Sequence, residues 1–164
     1  FMSGIKYFSG IEVVKAAKEV EKNGHRFYST MADRAVDPLL KELFAWLAQD
    51  EVEHLRRLNQ LETNYQDEIF ADSEEDFLPY LRQFADTKIF PDAERLEAVL
   101  KTETADLQAL DMAIEAEEKF AEYFLKASSL AQTKDGKEAF SWLAAEEARH
   151  AKVLHERRAH YSGE

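Results

Sequence analysis

The amino-acid sequence predicts an all-α fold: an antiparallel four-helix bundle with one long crossover and an internal pseudo-twofold repeat. Three observations carry that expectation. Turn-forming residues are scarce, with five glycines and three prolines in 164 residues, which favours a few long helices over many short strands. Four long segments place apolar residues at alternating steps of three and four, the spacing that keeps one helix face inward. The two halves of the chain also match under a shift of 96 residues. The length suits one domain over residues 1–164, large enough to bury a core.

The first helix is expected to start near Ser9. Ser9 and Glu12 form the S-x-x-E pattern of a capping box, and Phe8 and Val13 stand as a hydrophobic staple. It should run to about Ala35. The second begins at Asp37-Pro38, an N-cap residue followed by the residue best tolerated at the first helical position, and runs to about Glu62. A crossover over about residues 63–103 has room for two short amphipathic helices, around Phe77–Phe84 and after Pro91. The third long helix is expected over Thr104 to Ala131. The fourth starts at Asp135, with Glu138 three residues on, and ends near Tyr161. Short loops within each helix pair and one long link between pairs describe an antiparallel bundle with a single crossover.

The inward stripes are apolar except near their middles. Glu21 interrupts Val14, Ala17, Gly24, Tyr28 and Met31 in the first helix. In the second, Glu51 and His54 interrupt Leu40, Phe44, Leu47, Leu58 and Leu61. Glu117 interrupts Leu110, Ala113, Phe120, Phe124, Ala127 and Ala131 in the third. In the fourth, Glu147 and His150 interrupt Phe140, Leu143 and Leu154. The 96-residue shift carries Glu21 onto Glu117, Glu51 onto Glu147, His54 onto His150 and Trp46 onto Trp142.

A lone Glu-x-x-His is a weak signal in an acidic chain. Its placement is what strengthens it here. Glu51 follows Glu21 by 30 residues and Glu147 follows Glu117 by 30, and the midpoints, positions 36 and 132, fall at the turn signals. Equal distance from a turn means equal depth in an antiparallel hairpin, about 22 Å at 1.5 Å per residue. Four carboxylates and two imidazoles then share one layer of the interior. Four ionised carboxylates could not persist there uncompensated. Either several hold protons or cations are present. Two divalent ions would balance four carboxylates, and an oxygen-rich site with one imidazole per metal suits iron or manganese. Glu51 and Glu147 are the candidate bridges, because each also sets a histidine on its own helix; Glu21 and Glu117 are the candidate terminal ligands.

Composition narrows the partners. A formal charge of −12 with no basic cluster argues against nucleic acid or an anionic membrane surface. The absence of cysteine excludes disulfides, thiolate zinc sites, iron–sulfur clusters and a rubredoxin-type electron-transfer module within this sequence. No apolar run approaches a membrane span, and the first residues lack the pattern of a secretory signal, so a cytoplasmic protein is expected.

The segments EKNGHRFYSTMA, FAWLAQDEVEHLRRL, EAEEKFAEYF and FSWLAAEEARHAKVL resemble the rubrerythrin-like branch of the ferritin-like di-iron carboxylate superfamily. The resemblance covers the four long helices and not the crossover. It implies the metal ligands Glu21, Glu51, His54, Glu117, Glu147 and His150, and two iron ions as cofactor, with manganese or a mixed pair as the variant. It implies an oxidoreductase reacting with O2 or H2O2, of oxidase, peroxidase or ferroxidase type; the alternative is a non-catalytic iron-binding or storage protein. Electrons would come from Fe(II) or a separate donor protein, and a homo-oligomer, a dimer first, is expected. By the same resemblance Tyr28, two turns beyond Glu21, is the candidate catalytic residue, bonding a ligand carboxylate or supplying an electron. The pattern departs at Phe120, where rubrerythrins often carry a further glutamate. The centre is thereby more symmetric and closer to bacterioferritin-like ones.

The remaining polar and aromatic residues are expected to be structural. Asp50 and Glu146, each just before a candidate ligand glutamate and four residues before a candidate ligand histidine, are read first as solvated boundary residues, with orientation of the imidazoles as the alternative, and His25, His155 and His160 as surface residues. Trp46 and Trp142 are read as packing residues and Gly24 as leaving room beside the metals or a neighbouring helix. Arg157 and Arg158 are read as complements to the helix C-terminal dipole.

Overall fold

The computed structural model describes residues 8–64, 69–70 and 89–162. Helix α1 spans Gly10–Arg34 and α2 spans Pro38–Asn64. A short α3 covers Ala93–Leu100, followed by α4 at Ala105–Leu130 and α5 at Lys134–Ser162. A two-residue antiparallel ladder pairs β1 (Phe8–Ser9) with β2 (Ile69–Phe70), Phe8 opposite Phe70. The Ser9 capping box, the Phe8 staple and the helix expected around Phe77–Phe84 lie outside the described side chains. Every long helix falls within two residues of its expected bounds.

Local chemistry sets those bounds. Asp37 caps α2, its carboxylate accepting from the Leu39 amide at 2.8 Å, and Pro38 opens the helix. Asp92 caps α3 through the Arg95 amide. Helix α5 starts one residue before the expected Asp135, where the Thr133 hydroxyl caps it by accepting from the Gly136 amide at 3.0 Å. The α1–α2 turn gains a second anchor that the sequence did not disclose. Asp106, buried in the first turn of α4, accepts from the Val36 and Asp37 amides. It satisfies backbone donors that the turn leaves free.

Helix α1 packs along α2 and α4 along α5, while α2 faces α5. Helices α1 and α4 are linked by Tyr28 to Glu117 and by the Tyr123 hydroxyl to the Val13 carbonyl, so the four helices close a bundle. All of the expected stripe residues are buried. Two aromatic clusters flank the middle layer. Phe27, Tyr28, Phe44 and Phe90 form one, and Phe120, Tyr123, Phe124 and Phe140 the other. Each such ring taken fully from water contributes about 1.5–3 kcal/mol, so the clusters hold the layer rigidly from both sides.

Candidate metal centre

Glu21, Glu51, His54, Glu117, Glu147 and His150 each have no exposed side-chain surface and meet in one layer. The imidazoles point Nδ1 inward. His54 Nδ1 lies 3.1 Å from Glu21, 3.5 Å from Glu51 and 3.4 Å from Glu147. His150 Nδ1 lies 3.1 Å from Glu117, 3.2 Å from Glu147 and 3.6 Å from Glu51. The six buried donors fall into two groups that could each hold a metal, Glu21, Glu51, His54 and Glu147, and Glu51, Glu117, Glu147 and His150; a third group, Asp50, His54, Glu146 and His150, is half-buried on the outer face of the imidazoles. Glu51 and Glu147 belong to both buried groups.

The layer fits cations on its own chemistry. Both oxygens of Glu51, both of Glu147, Oε1 of Glu21 and Oε1 of Glu117 are buried without a hydrogen-bond partner. Buried polar atoms are ordinarily paired, and leaving one unpaired costs about 1–3 kcal/mol. Six orphaned oxygens converging on two imidazoles describe a cradle for positive charge.

Without metal the layer redistributes protons. Burial, then the charge of Glu147, raises Glu21 well above the usual carboxylate range, and burial with Glu21 does the same to Glu51. Burial and Glu147 lift Glu117 to about 7. Burial opposes the charged form of His54, but Glu147 and Glu51 outweigh it and raise this imidazole to about 9. His150 is raised likewise, against burial, by Glu117 and Asp50. Burial works against ionisation of Glu147 too, yet the two imidazoles overcome it and hold this carboxyl below its ordinary value. Glu147 is thus the carboxylate that stays ionised at the heart of the layer.

Tyr28 is buried, and its hydroxyl donates to Glu117 Oε2 at 2.6 Å. Burial and the Glu117 charge keep its proton on well beyond the usual phenol range. Gly24 supports the layer by absence: a Cβ there would sit 2.6 Å from Glu51 Oε2 and 2.8 Å from the Phe90 ring. The space that Gly24 leaves is used by Glu51 and by Phe90 from the end of the crossover.

Asp50 and Glu146 are half-buried rather than fully solvated, and the alternative of a contact to an imidazole is the one observed. Each reaches the histidine of the facing helix: Asp50 Oδ2 lies 2.7 Å from His150 Nε2, and Glu146 Oε1 lies 3.5 Å from His54 Nε2. Arg149 contacts both carboxylates, at 2.9 and 2.8 Å. Half-exposed Trp46 and Trp142 stand edge-on to His150 and His54, with Arg149 over the first indole and Arg57 over the second. These contacts fix ring orientation from outside, as partners of metal-binding imidazoles do. The signal was present in the sequence, because the shift that pairs the ligands also pairs Asp50 with Glu146.

His25 is also not a plain surface residue, since its Nδ1 lies 3.1 Å from the Ala48 carbonyl and ties α1 to α2. His155 and His160 are exposed, as expected. Arg158 pairs with Asp111 of α4, a tertiary contact beyond any dipole effect.

Fold and site together define a helical bundle with a buried carboxylate–histidine layer able to hold metal ions. The rubrerythrin family model matches residues 12–109, and the chain belongs to the rubrerythrin family. That span includes Glu21, Glu51 and His54; Glu117, Glu147 and His150 lie beyond it and rest on the geometry and the internal repeat. A solved structure of a hypothetical protein from Pyrococcus furiosus shares the fold, with a TM-score of 0.63 and 22% identity over 93% of this chain and 89% of that one. Comparison with curated proteins gives no match. Among the described residues no helix is long and apolar enough to cross a membrane.

Proposed function

We propose that this chain is a di-iron carboxylate oxidoreductase reacting with O2 or H2O2, of oxidase, peroxidase or ferroxidase type. The observation that carries the reading is the set of orphaned carboxylate oxygens around two inward-facing imidazoles, arranged as two donor groups with Glu51 and Glu147 in common. Two iron ions, once bound there, would supply the redox equivalents for reducing either oxidant. His54, Glu21, Glu51 and Glu147 would hold one ion and His150, Glu117, Glu51 and Glu147 the other. Asp50 holds the His150 imidazole from behind, Glu146 stands 3.5 Å behind that of His54, and the aromatic clusters keep bulk water from the layer. Tyr28 keeps Glu117 oriented through a bond to the oxygen that leaves Oε1 free. With no cysteine in the sequence, electrons arrive from Fe(II) or from a separate donor protein.

The test is metal analysis of protein made in iron-supplied cells, followed by anaerobic reduction and rapid mixing with O2 or H2O2. Two irons per chain and repeated oxidant consumption under a reductant are expected. Two irons with no oxidant consumption would replace the enzyme by an iron-binding or storage protein.

A further inference from the structure

The repeat makes the two halves of the centre nearly alike, and two departures from likeness fall on the same side. The pseudo-twofold that carries Tyr28 to Phe124 exchanges Glu117 with Glu21. Glu117 therefore receives a phenolic hydrogen bond at 2.6 Å, while the aromatic facing Glu21 by the same symmetry is a phenylalanine with no hydroxyl. The imidazoles differ in the same sense. His150 Nε2 is held by Asp50 at 2.7 Å, a full hydrogen bond. His54 Nε2 is buried without a hydrogen-bond partner, its nearest carboxylate oxygen on Glu146 being 3.5 Å away. Both the carboxylate and the imidazole of one half are thus pinned from behind, and neither is pinned equally in the other.

Resting on the dinuclear reading above, we propose that the Glu117–His150 half is the tight metal site and the Glu21–His54 half the weaker, exchangeable one, with Tyr28 and Asp50 as the positioning residues that set the difference. A pinned carboxylate loses less freedom when its remaining oxygen takes a metal. An imidazole whose Nε2–H donates to a carboxylate presents a fixed lone pair at Nδ1 and is the more basic ligand. Outer partners of this kind change metal affinity by about 10–100-fold, so the two constants should differ by at least about tenfold.

The probe is Co(II), followed by calorimetric titration and by its visible absorption, on the wild-type chain and on Glu21→Ala, Glu117→Ala, Tyr28→Phe and Phe124→Tyr. Mutual repulsion between two cations also splits binding into two steps, so the assignment turns on which half keeps the tight constant. Glu21→Ala should retain it and Glu117→Ala should lose it. Tyr28→Phe removes one oxygen from a packed ring and should weaken the first step by about tenfold while two ions still bind. Phe124→Tyr should strengthen the second step. Two ions bound with the first constant unchanged in Tyr28→Phe, or the tight constant surviving in Glu117→Ala, would overturn the inference and leave the dinuclear reading standing. A wild-type chain that binds no Co(II) would overturn both.

Discussion

The α1–α2 half and the α4–α5 half solve the same packing problem with different residues. Tyr28 and Phe44 stack at 5.9 Å and 23°, and their counterparts Phe124 and Phe140 stack at 5.9 Å and 27°. Phe27 meets Tyr28 at 64°, and Tyr123 meets Phe124 at 63°. The fourth ring is where the halves part. In α4 it is Phe120, on the helix itself. The matching position in α1 is Gly24, and Phe90 arrives from the crossover to stand 5.7 Å from Phe27, much as Phe120 stands 6.3 Å from Tyr123. A fourth ring is present in both halves but differs in origin and in its contact to the central ring, Phe90 standing edge-on to Tyr28 at 5.5 Å and Phe120 stacking on Phe124 at 4.3 Å, and Gly24 is the gap that admits Phe90. The lesson is that a repeat preserves volumes and ligands more strictly than it preserves which segment supplies them.

The largest effect that bears on this comparison is loss of metal. Glu51→Ala and Glu147→Ala should each forfeit both ions, since each residue belongs to both donor groups, whereas Glu21→Ala and Glu117→Ala should each forfeit one. Elemental analysis of the four variants decides it; two metals kept in Glu51→Ala would reverse bridge and terminal roles.

Next come the two rings. Phe90→Ala and Phe120→Ala each empty a fully buried position and should cost about 3–5 kcal/mol by denaturant unfolding. Equal costs support equivalent places in the two halves; a near-neutral Phe90→Ala would show that the crossover ring is not part of the core. Gly24→Ala should cost about 1–3 kcal/mol by crowding Glu51 and Phe90, despite the better helix propensity of alanine.

The pH dependence of the metal-free protein follows from the raised groups. Glu117 ionises near 4.5 when unfolded and at about 7 when folded, so its contribution is full below pH 4.5 and is lost as pH rises toward 7, about 3 kcal/mol in all. Glu21 and Glu51 act in the same direction. His54 ionises near 6.5 unfolded and about 9 folded, so its contribution is full below 6.5 and lost by pH 9. Glu147 acts oppositely, being lost on acidification below its ordinary value. The metal-free Tm should therefore fall between pH 5 and pH 9, and the gap to the metal-loaded protein should widen. A pH-independent gap in calorimetric scans would contradict this charge distribution.

The smallest expected effect separates the two outer carboxylates. Asp50→Asn should weaken Co(II) binding more than Glu146→Gln, because only Asp50 lies within hydrogen-bond distance of its imidazole. Equal effects would mean that the two imidazoles are held alike.

The buried carboxylate–histidine layer was legible in the sequence because helical periodicity is local. Once Glu21, Glu51, Glu117 and Glu147 fall on inward stripes at equal distances from their turns, depth follows from rise per residue. Tyr28 was legible for the same reason. What periodicity does not carry is contact between helices remote in sequence. Asp50 and Glu146 sit at stripe edges, where solvent and a facing imidazole are equally accessible, so only the packing of α2 against α5 shows which partner wins. Asp106 serves a turn some 70 residues away, a pairing that no local pattern encodes. Phe90 was invisible because nothing in its own segment announces the vacancy at Gly24.

The most direct measurement is anomalous diffraction at the iron edge from crystals of iron-loaded protein. Two peaks are expected, both between Glu51 and Glu147, one beside His54 Nδ1 and the other beside His150 Nδ1. Peaks confined to the outer face of the imidazoles, near Asp50 and Glu146, or no peak within the glutamate layer, would contradict a dinuclear centre built by the two halves of this chain.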